Sequence, residues 1–276
     1  MNRKTLSHWL IGEFSFMRLL RSGVEIYACI LVYAFFFSDR LIFQPPPSTY
    51  IDVPQVLKLP TEDGGHISAL FLVNPSTPYT VLYHHGNAED LGAVRPFLMA
   101  LYEQGYSVMA YDYRGYGASE GTPSEKHAYQ DAEAAYAYLA NQAGISPDRI
   151  ISHGRSLGAA LAVDIARKHN IGGLIVESGF VSAFRVKTHI PLSPFDKFNN
   201  LARIKQVHCP ILVIHGMQDQ IIPFWHGQKL YDQAPEPKRC LWVQAGHDDV
   251  YWMAGESYWT AMKQLCKLME EKNGAR

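Results

Sequence analysis

Three side chains in this sequence have the types and local settings that acyl transfer needs. Ser156 lies in Gly154-Arg155-Ser156-Leu157-Gly158, Asp219 follows the apolar run 211–216, and His247 follows the run 241–246. A serine hydroxyl is a poor nucleophile at neutral pH until a neighbouring base takes its proton. His247 would be that base, returning the proton to the leaving group, and Asp219 would hold the imidazole tautomer and stabilise the imidazolium. Glu177, just past another apolar run, is the rival acid; Asp248 and Asp249 lie too close to His247 in sequence to be preferred. Each residue also has a plain structural reading: Ser156 as a helix N-cap, Asp219 as a cap ahead of Ile221, His247 as one of twelve histidines.

The setting of Ser156 favours chemistry. An apolar run at 149–153 reads as a buried strand, and the Ala- and Leu-rich run 159–169 reads as a helix. Strand, G-x-S-x-G, helix is a sharp turn that lifts a serine hydroxyl above the edge of a sheet. The glycines on either side give the turn the conformational freedom and the small bulk it needs. The first N–H groups of the following helix then face whatever is bonded to the serine. An oxyanion formed there needs two donors: one is the N–H of Leu157, the other comes from His85-Gly86-Asn87-Ala88, with Asn87 preferred over Ala88. His-Gly-Asn is also good turn chemistry in its own right. The glycine-rich loop Asp112-Tyr113-Arg114-Gly115-Tyr116-Gly117-Ala118-Ser119 lacks both dinucleotide-binding spacing and a P-loop lysine, so it reads as the floor of the site, tied down by Arg114.

These residues require a scaffold that gathers strand ends. Runs at 56–59 and 67–73, divided by a Gly-Gly turn, form a hairpin. Further strands are expected at 80–84, 106–111, 149–152, 173–176, 210–215 and 240–243, with helices at 91–103, 125–142, 159–169, 225–233 and 258–271. Alternating strands and helices give an α/β class with a mostly parallel central sheet and helices on both faces. Ser156, Asp219 and His247 all fall at carboxyl ends of strands, where such sheets bind ligands. Residues 178–203 form a short apolar lid, read either as a flap over an open site or as a connector packed on the core.

Residues 1–43 differ from the rest. Trp9-Leu10-Ile11, Phe14 and an almost unbroken apolar run at 26–37 form an N-terminal apolar helix, shorter than the ~20 residues of a spanning segment unless it takes in Arg21 and Glu25. It reads as a retained membrane anchor, with an interfacial or core helix as the alternative. Arg3, Lys4, Arg18 and Arg21 precede the run, which puts the N-terminus in the cytoplasm and the domain 44–276 on the far side, the expected membrane being a bacterial inner membrane. Pro45-Pro46-Pro47-Ser48 reads as a stiff hinge.

Composition excludes several classes. A hydrophobic content of 47% supplies a full core, and a net charge of −1 with no basic stripe argues against nucleic acid as a partner. Cys29, Cys209, Cys240 and Cys266 have no metal-site spacing and read as lone thiols.

The chain resembles the membrane-associated α/β-hydrolases that include the protein depalmitoylases. The stretches that carry the resemblance are 85–92, 111–119, 121–126, Gly144-Ile145-Ser146-Pro147, 154–158, 212–216 with Asp219, and 241–247, covering about residues 50–272. The order Ser, Asp, His is that of this fold and not of chymotrypsin or subtilisin. The resemblance implies an α/β-hydrolase fold, a Ser156-Asp219-His247 triad, an oxyanion hole at Asn87 and Leu157, and a serine esterase or thioesterase acting on acyl chains; acyl transfer by this triad needs no metal or cofactor, and the short lid suits a lipid-like or large acylated substrate near a membrane. Two departures stand out: an apolar segment replaces the depalmitoylases' N-terminal cysteine cluster, and the charged Arg155 adjoins the nucleophile. The competing readings are a non-catalytic scaffold of this fold and a serine peptidase.

Overall fold

A computed structural model describes residues 16–51 and 56–274. The chain divides into two units between Ile42 and Phe43. The first contains helix α1, Phe16–Ile42. At 27 residues it spans about 40 Å, and its most apolar window has a mean hydropathy of 1.6, so it is long and apolar enough to cross a membrane. The expectation of a shorter run is corrected here: the helix continues back through Glu25 and Arg21. Those two charges pair at 2.8 Å one turn apart. Trp9-Leu10-Ile11, Phe14, Arg3 and Lys4 lie outside the described residues.

The second unit is built on an eight-stranded sheet. Its strands are β1 (Leu57–Pro60), β2 (His66–Leu72), β3 (Thr80–His84), β4 (Ser107–Tyr111), β5 (Ile150–Arg155), β6 (Gly173–Glu177), β7 (Ile211–Gly216) and β8 (Lys238–Val243). The order is β1-β2-β4-β3-β5-β6-β7-β8. The β1–β2 hairpin joins β4 antiparallel, and all remaining pairs are parallel. Parallel strands must be covered on both faces, which explains the near-continuous apolar runs of β3, β5, β6 and β7. On one face Val81, Tyr83, Val108, Ile151, Ile175, Leu212 and Ile214 pack with helices α2 (Leu91–Glu103) and α9 (Glu256–Gly274). The alternate residues of the same strands face the other way. There helix α3 (Glu125–Ala137) lies along β1, β3 and β4, and helix α4 (Leu157–Lys168) along β3, β5 and β6.

Three local differences from expectation have physical causes. Helix α3 stops at Ala137, and Tyr138–Gln142 continue as a π-turn that closes on Ala143. Strand β8 starts at Lys238 because the edge strand stays in register with Ile211 of β7. The segment expected to be a lid is packed on the core at its two ends, where Phe180, Val181 and Phe198 are buried, while Ile190 and Leu192 between them are exposed. Short helices α5 (Arg185–Thr188) and α6 (Asn200–Arg203) lie between these points. Helices α7 (Trp225–Gln233) and α8 (Val250–Ala254) complete the domain.

Candidate active site

The serine turn is held open by steric necessity. Ser156 has φ 53° and ψ −115°, a region costly for any residue with a Cβ. Its N–H donates to the Glu177 carbonyl at 2.9 Å, which fastens the turn to β6. A side chain on Gly154 would run into the backbone of Gly158, and one on Gly158 into the carbonyls of His84 and His85. The flanking glycines therefore allow α4 to begin directly over the end of β3.

Strands β7 and β8 bring the other two residues to the same place. The N–H groups of Met217 and Gln218 donate to the Val243 and Ala245 carbonyls at 2.7 and 2.9 Å, so the two loops run side by side. Glycine at 216 permits this, because a Cβ there would strike the carbonyls of Ala245 and Gly246. Across the gap, His247 Nδ1 lies 2.7 Å from Asp219 Oδ2, and His247 Nε2 lies 3.0 Å from Ser156 Oγ. Asp219 Oδ1 also accepts from the N–H groups of Ile221 and Ile222 at 2.9 and 2.8 Å. Burial alone would raise the pKa of Asp219, but the His247 contact and the Ile222 N–H outweigh it and leave the carboxyl below its ordinary value. A hydrogen-bonded carboxylate thus orients Nδ1, and Nε2 is left toward the serine.

Glu177 does not join this group. It is buried, with Oε2 2.9 Å from His153 Nε2 and accepting from the Tyr258 hydroxyl at 2.6 Å. Burial raises its pKa, and the His153 contact, Arg155 and Tyr258 more than reverse that. It is a buried support at the end of β6, paired with His153 and Tyr258 and not with His247.

The two segments expected to supply oxyanion donors both adjoin Ser156. Leu157 opens α4, so its N–H has no acceptor one turn back in the helix. The 85–88 loop passes close by: a Cβ on Gly86 would fall 3.6 Å from Ser156 Cβ and 2.7 Å from Glu89 Oε2. Ala88 adopts φ 57°, and Glu89 Oε2 accepts from the Gly86 N–H at 2.7 Å. The Asn87 side chain accepts from the Tyr116 hydroxyl at 2.6 Å. His85 stacks on Tyr113, whose hydroxyl donates to the His85 carbonyl at 2.5 Å. Arg114 ties its loop down as expected, donating to Asp131 at 2.7 Å and to Asp63 at 2.8 Å.

Sequence reasoning left Arg155 unexplained. Its guanidinium bridges Glu89 at 2.5 Å and Asp248 at 2.6 Å. It therefore joins the oxyanion-side loop to the loop carrying His247. The one signal in the sequence was a charged residue beside the nucleophile; its partners lie 66 and 93 residues away. Among the described residues no group of three His, Cys, Asp or Glu side chains is gathered as a metal ion would require.

This sheet order, with the serine turn after its fifth strand, defines an α/β-hydrolase. A sequence-family profile described as "Serine aminopeptidase, S33" matches residues 76–199. Human alpha/beta hydrolase domain-containing protein 17B is 39% identical over 199 residues, covering 69% of this chain and 68% of that protein. The Xenopus tropicalis protein 17C is 38% identical over 209 residues, covering 72% and 66%. The chain belongs to this alpha/beta hydrolase domain-containing family, and it spans about two thirds of the length of the curated relatives it matches. Among solved structures, an esterase of Pyrococcus furiosus superposes with a TM-score of 0.68 at 21% identity, covering 81% of this chain and 98% of that one. An alpha-beta hydrolase of Vibrio vulnificus superposes at 0.63 with 25% identity, covering 76% and 80%. The curated relatives named are vertebrate proteins and lend no support to a bacterial inner membrane.

Proposed function

We propose that this domain is a serine esterase or thioesterase working through an acyl-enzyme on Ser156. The observation that carries the reading is the continuous chain from Asp219 through His247 to Ser156, at 2.7 and 3.0 Å, on a strained turn. In the first half-reaction Ser156 Oγ bonds to the substrate carbonyl carbon while its proton passes to His247 Nε2. The carbonyl oxygen becomes an oxyanion held by the N–H groups of Leu157 and Asn87. Its collapse breaks the bond to the alcohol or thiol, which leaves with the proton from His247. Water then repeats the sequence, giving up its proton to His247 and releasing the acid and the Ser156 hydroxyl. The steps close with this chain's own groups.

Apolar residues support an acyl chain as the recognised part. Ile190 and Leu192 follow β6, Met217 and Ile221 follow β7, and Trp252 and Met253 follow β8 in the chain, and all six are exposed. Exposed apolar side chains on the segments that follow the strands of the site fit a lipid-like substrate. The length and hydropathy of α1 support a division into a membrane anchor, residues 1–43, and a catalytic domain, 44–276. The test is a matched panel of p-nitrophenyl esters, acyl thioesters and acyl anilides of increasing chain length, assayed against full-length protein and Ser156→Ala. Ester and thioester turnover lost in Ser156→Ala is the expected result. Preferential anilide cleavage would favour the peptidase reading, and no turnover of any class would favour the scaffold.

A further inference from the structure

The segment expected to be a hinge is docked on the catalytic domain. Phe43 is buried, edge-on to Tyr116 and Phe198 at 6.5 and 5.9 Å. The next residue, Gln44, donates its N–H to Asn87 Oδ1 and to the Tyr116 hydroxyl oxygen, both at 3.0 Å. Beyond the three prolines, the Thr49 N–H donates to Asp90 Oδ2 at 2.6 Å, and the Thr49 hydroxyl donates to Asp90 Oδ1. The Tyr50 hydroxyl donates to Asp112 Oδ2 at 2.6 Å and accepts from the Ala118 N–H at 3.1 Å.

These contacts fall at both ends of the loop that carries the Asn87 N–H. Asn87 is the near end. At the far end, Asp90 caps α2 through the Ala93 N–H at 2.9 Å, and Asp112 Oδ1 accepts from the Leu91 N–H at 2.9 Å. The seat is shaped for the strap. A Cβ on Gly92 would collide with the Thr49 hydroxyl and lie 3.1 Å from Tyr50 Cβ. One on Gly117, at φ +50°, would collide with the Asp112 carboxylate and lie 2.9 Å from a Tyr50 ring carbon. The prolines between the two anchor points have fixed φ and no N–H to satisfy, so little chain entropy is lost in holding the strap extended. Burial would raise the pKa of Asp90, but the Thr49 and Ala93 bonds reverse this and leave it below its ordinary value.

We infer that residues 43–50 are a positioning element for the oxyanion-side loop, with Gln44, Thr49 and Tyr50 fixing where the Asn87 N–H points. The inference rests on the serine-hydrolase reading above. Donors in an oxyanion hole act on the transition state and must be held in place before it forms. Loosening the loop therefore lowers kcat and leaves KM unchanged. Removing such a donor outright costs about 10²–10³-fold in kcat, and displacing one costs less, so about tenfold is expected here.

The test compares full-length wild type with Thr49→Val, Thr49→Ser and Tyr50→Phe in detergent. Active sites are counted by exhaustive fluorophosphonate labelling, so misfolded protein is excluded from kcat. Thr49→Val and Tyr50→Phe should each lose about tenfold in kcat per labelled site on a p-nitrophenyl ester, with KM within about twofold. Thr49→Ser, which keeps the hydroxyl, should restore at least half of the wild-type kcat. Unchanged kcat per labelled site with only a lower Tm would overturn the inference, as would a Thr49→Ser variant no better than Thr49→Val. A labelled wild type with indifferent strap variants sinks the inference alone; an unlabelled wild type sinks the hydrolase reading and the inference with it.

Discussion

Replacing Arg155 with Met removes the ion pairs that join the two active-site loops, and their unequal exposure sets the size of the effect. Asp248 is 73% exposed, so its pair with Arg155 is screened and contributes about 0.2–1 kcal/mol. Glu89 and Arg155 are only 21% and 17% exposed, and a hydrogen bond between charged groups there contributes about 1.5–3 kcal/mol. Glu89 also holds the Gly86 N–H at 2.7 Å, so releasing it unsettles the loop beside Ser156. Burial disfavours charge on Arg155, yet Glu89 and its other acidic neighbours leave its pKa above the ordinary value, so the guanidinium stays charged. Arg155→Met should therefore cost about 2 kcal/mol, a fall in Tm of about 4–8 °C for a domain of this size. It should also cost about tenfold in kcat, equivalent to about 1.4 kcal/mol in the transition state. Asp248→Asn should cost below about 1 kcal/mol and leave kcat within about twofold. The assays are thermal unfolding and p-nitrophenyl ester kinetics at low and high salt. If Arg155→Met matches wild type in both, or if Asp248→Asn is as damaging as Arg155→Met, the clamp reasoning is wrong.

Two further outcomes follow from the site and its surroundings. Asp219→Asn keeps an oxygen for the Ile221 and Ile222 N–H groups, so the fold should survive, while loss of the carboxylate at His247 Nδ1 should lower kcat by about 10³–10⁴-fold with little change in KM; steady-state kinetics with an active-site count check it, and a loss below tenfold would contradict the assigned role. His226 is buried and accepts the Val181 N–H on Nδ1, and burial pushes its pKa down to about 3. The folded-state pKa lies below the unfolded value of about 6.5, so between these limits the unfolded chain binds the extra proton and stability is lost as pH falls. From pH 6.5 to 5 wild type should lose about 2 kcal/mol more than His226→Gln, read from denaturant unfolding at each pH; parallel losses in the two proteins would refute this.

How much of this was legible in the sequence depends on the distance over which each feature is specified. The serine turn is local: two glycines around Ser156 leave few other conformations for a strand running into a helix. The convergence of Asp219 and His247 on it was legible because parallel α/β topology sends all three strand ends to one edge. The apolar runs of β3, β5, β6 and β7 were equally plain, since burial on both faces removes polar alternation. Features set by tertiary pairing were not. Arg155 finds Glu89 and Asp248 at separations of 66 and 93 residues, which no local pattern encodes. Glu177 stayed a rival to Asp219 until its partners His153 and Tyr258 were visible. The proline run reads as a spacer because its own side chains say so; the contacts that dock it come from Gln44, Thr49 and Tyr50 on either side. The length of α1 was underestimated because Arg21 and Glu25 break the hydropathy pattern while pairing with each other.

The most direct test of the central claim is the site of covalent capture. Full-length protein treated with a fluorophosphonate, digested and analysed by mass spectrometry should carry a single phosphonyl adduct on Ser156. The adduct and ester turnover should both vanish in Ser156→Ala. An adduct on another residue, or ester turnover that persists in Ser156→Ala, would contradict the account.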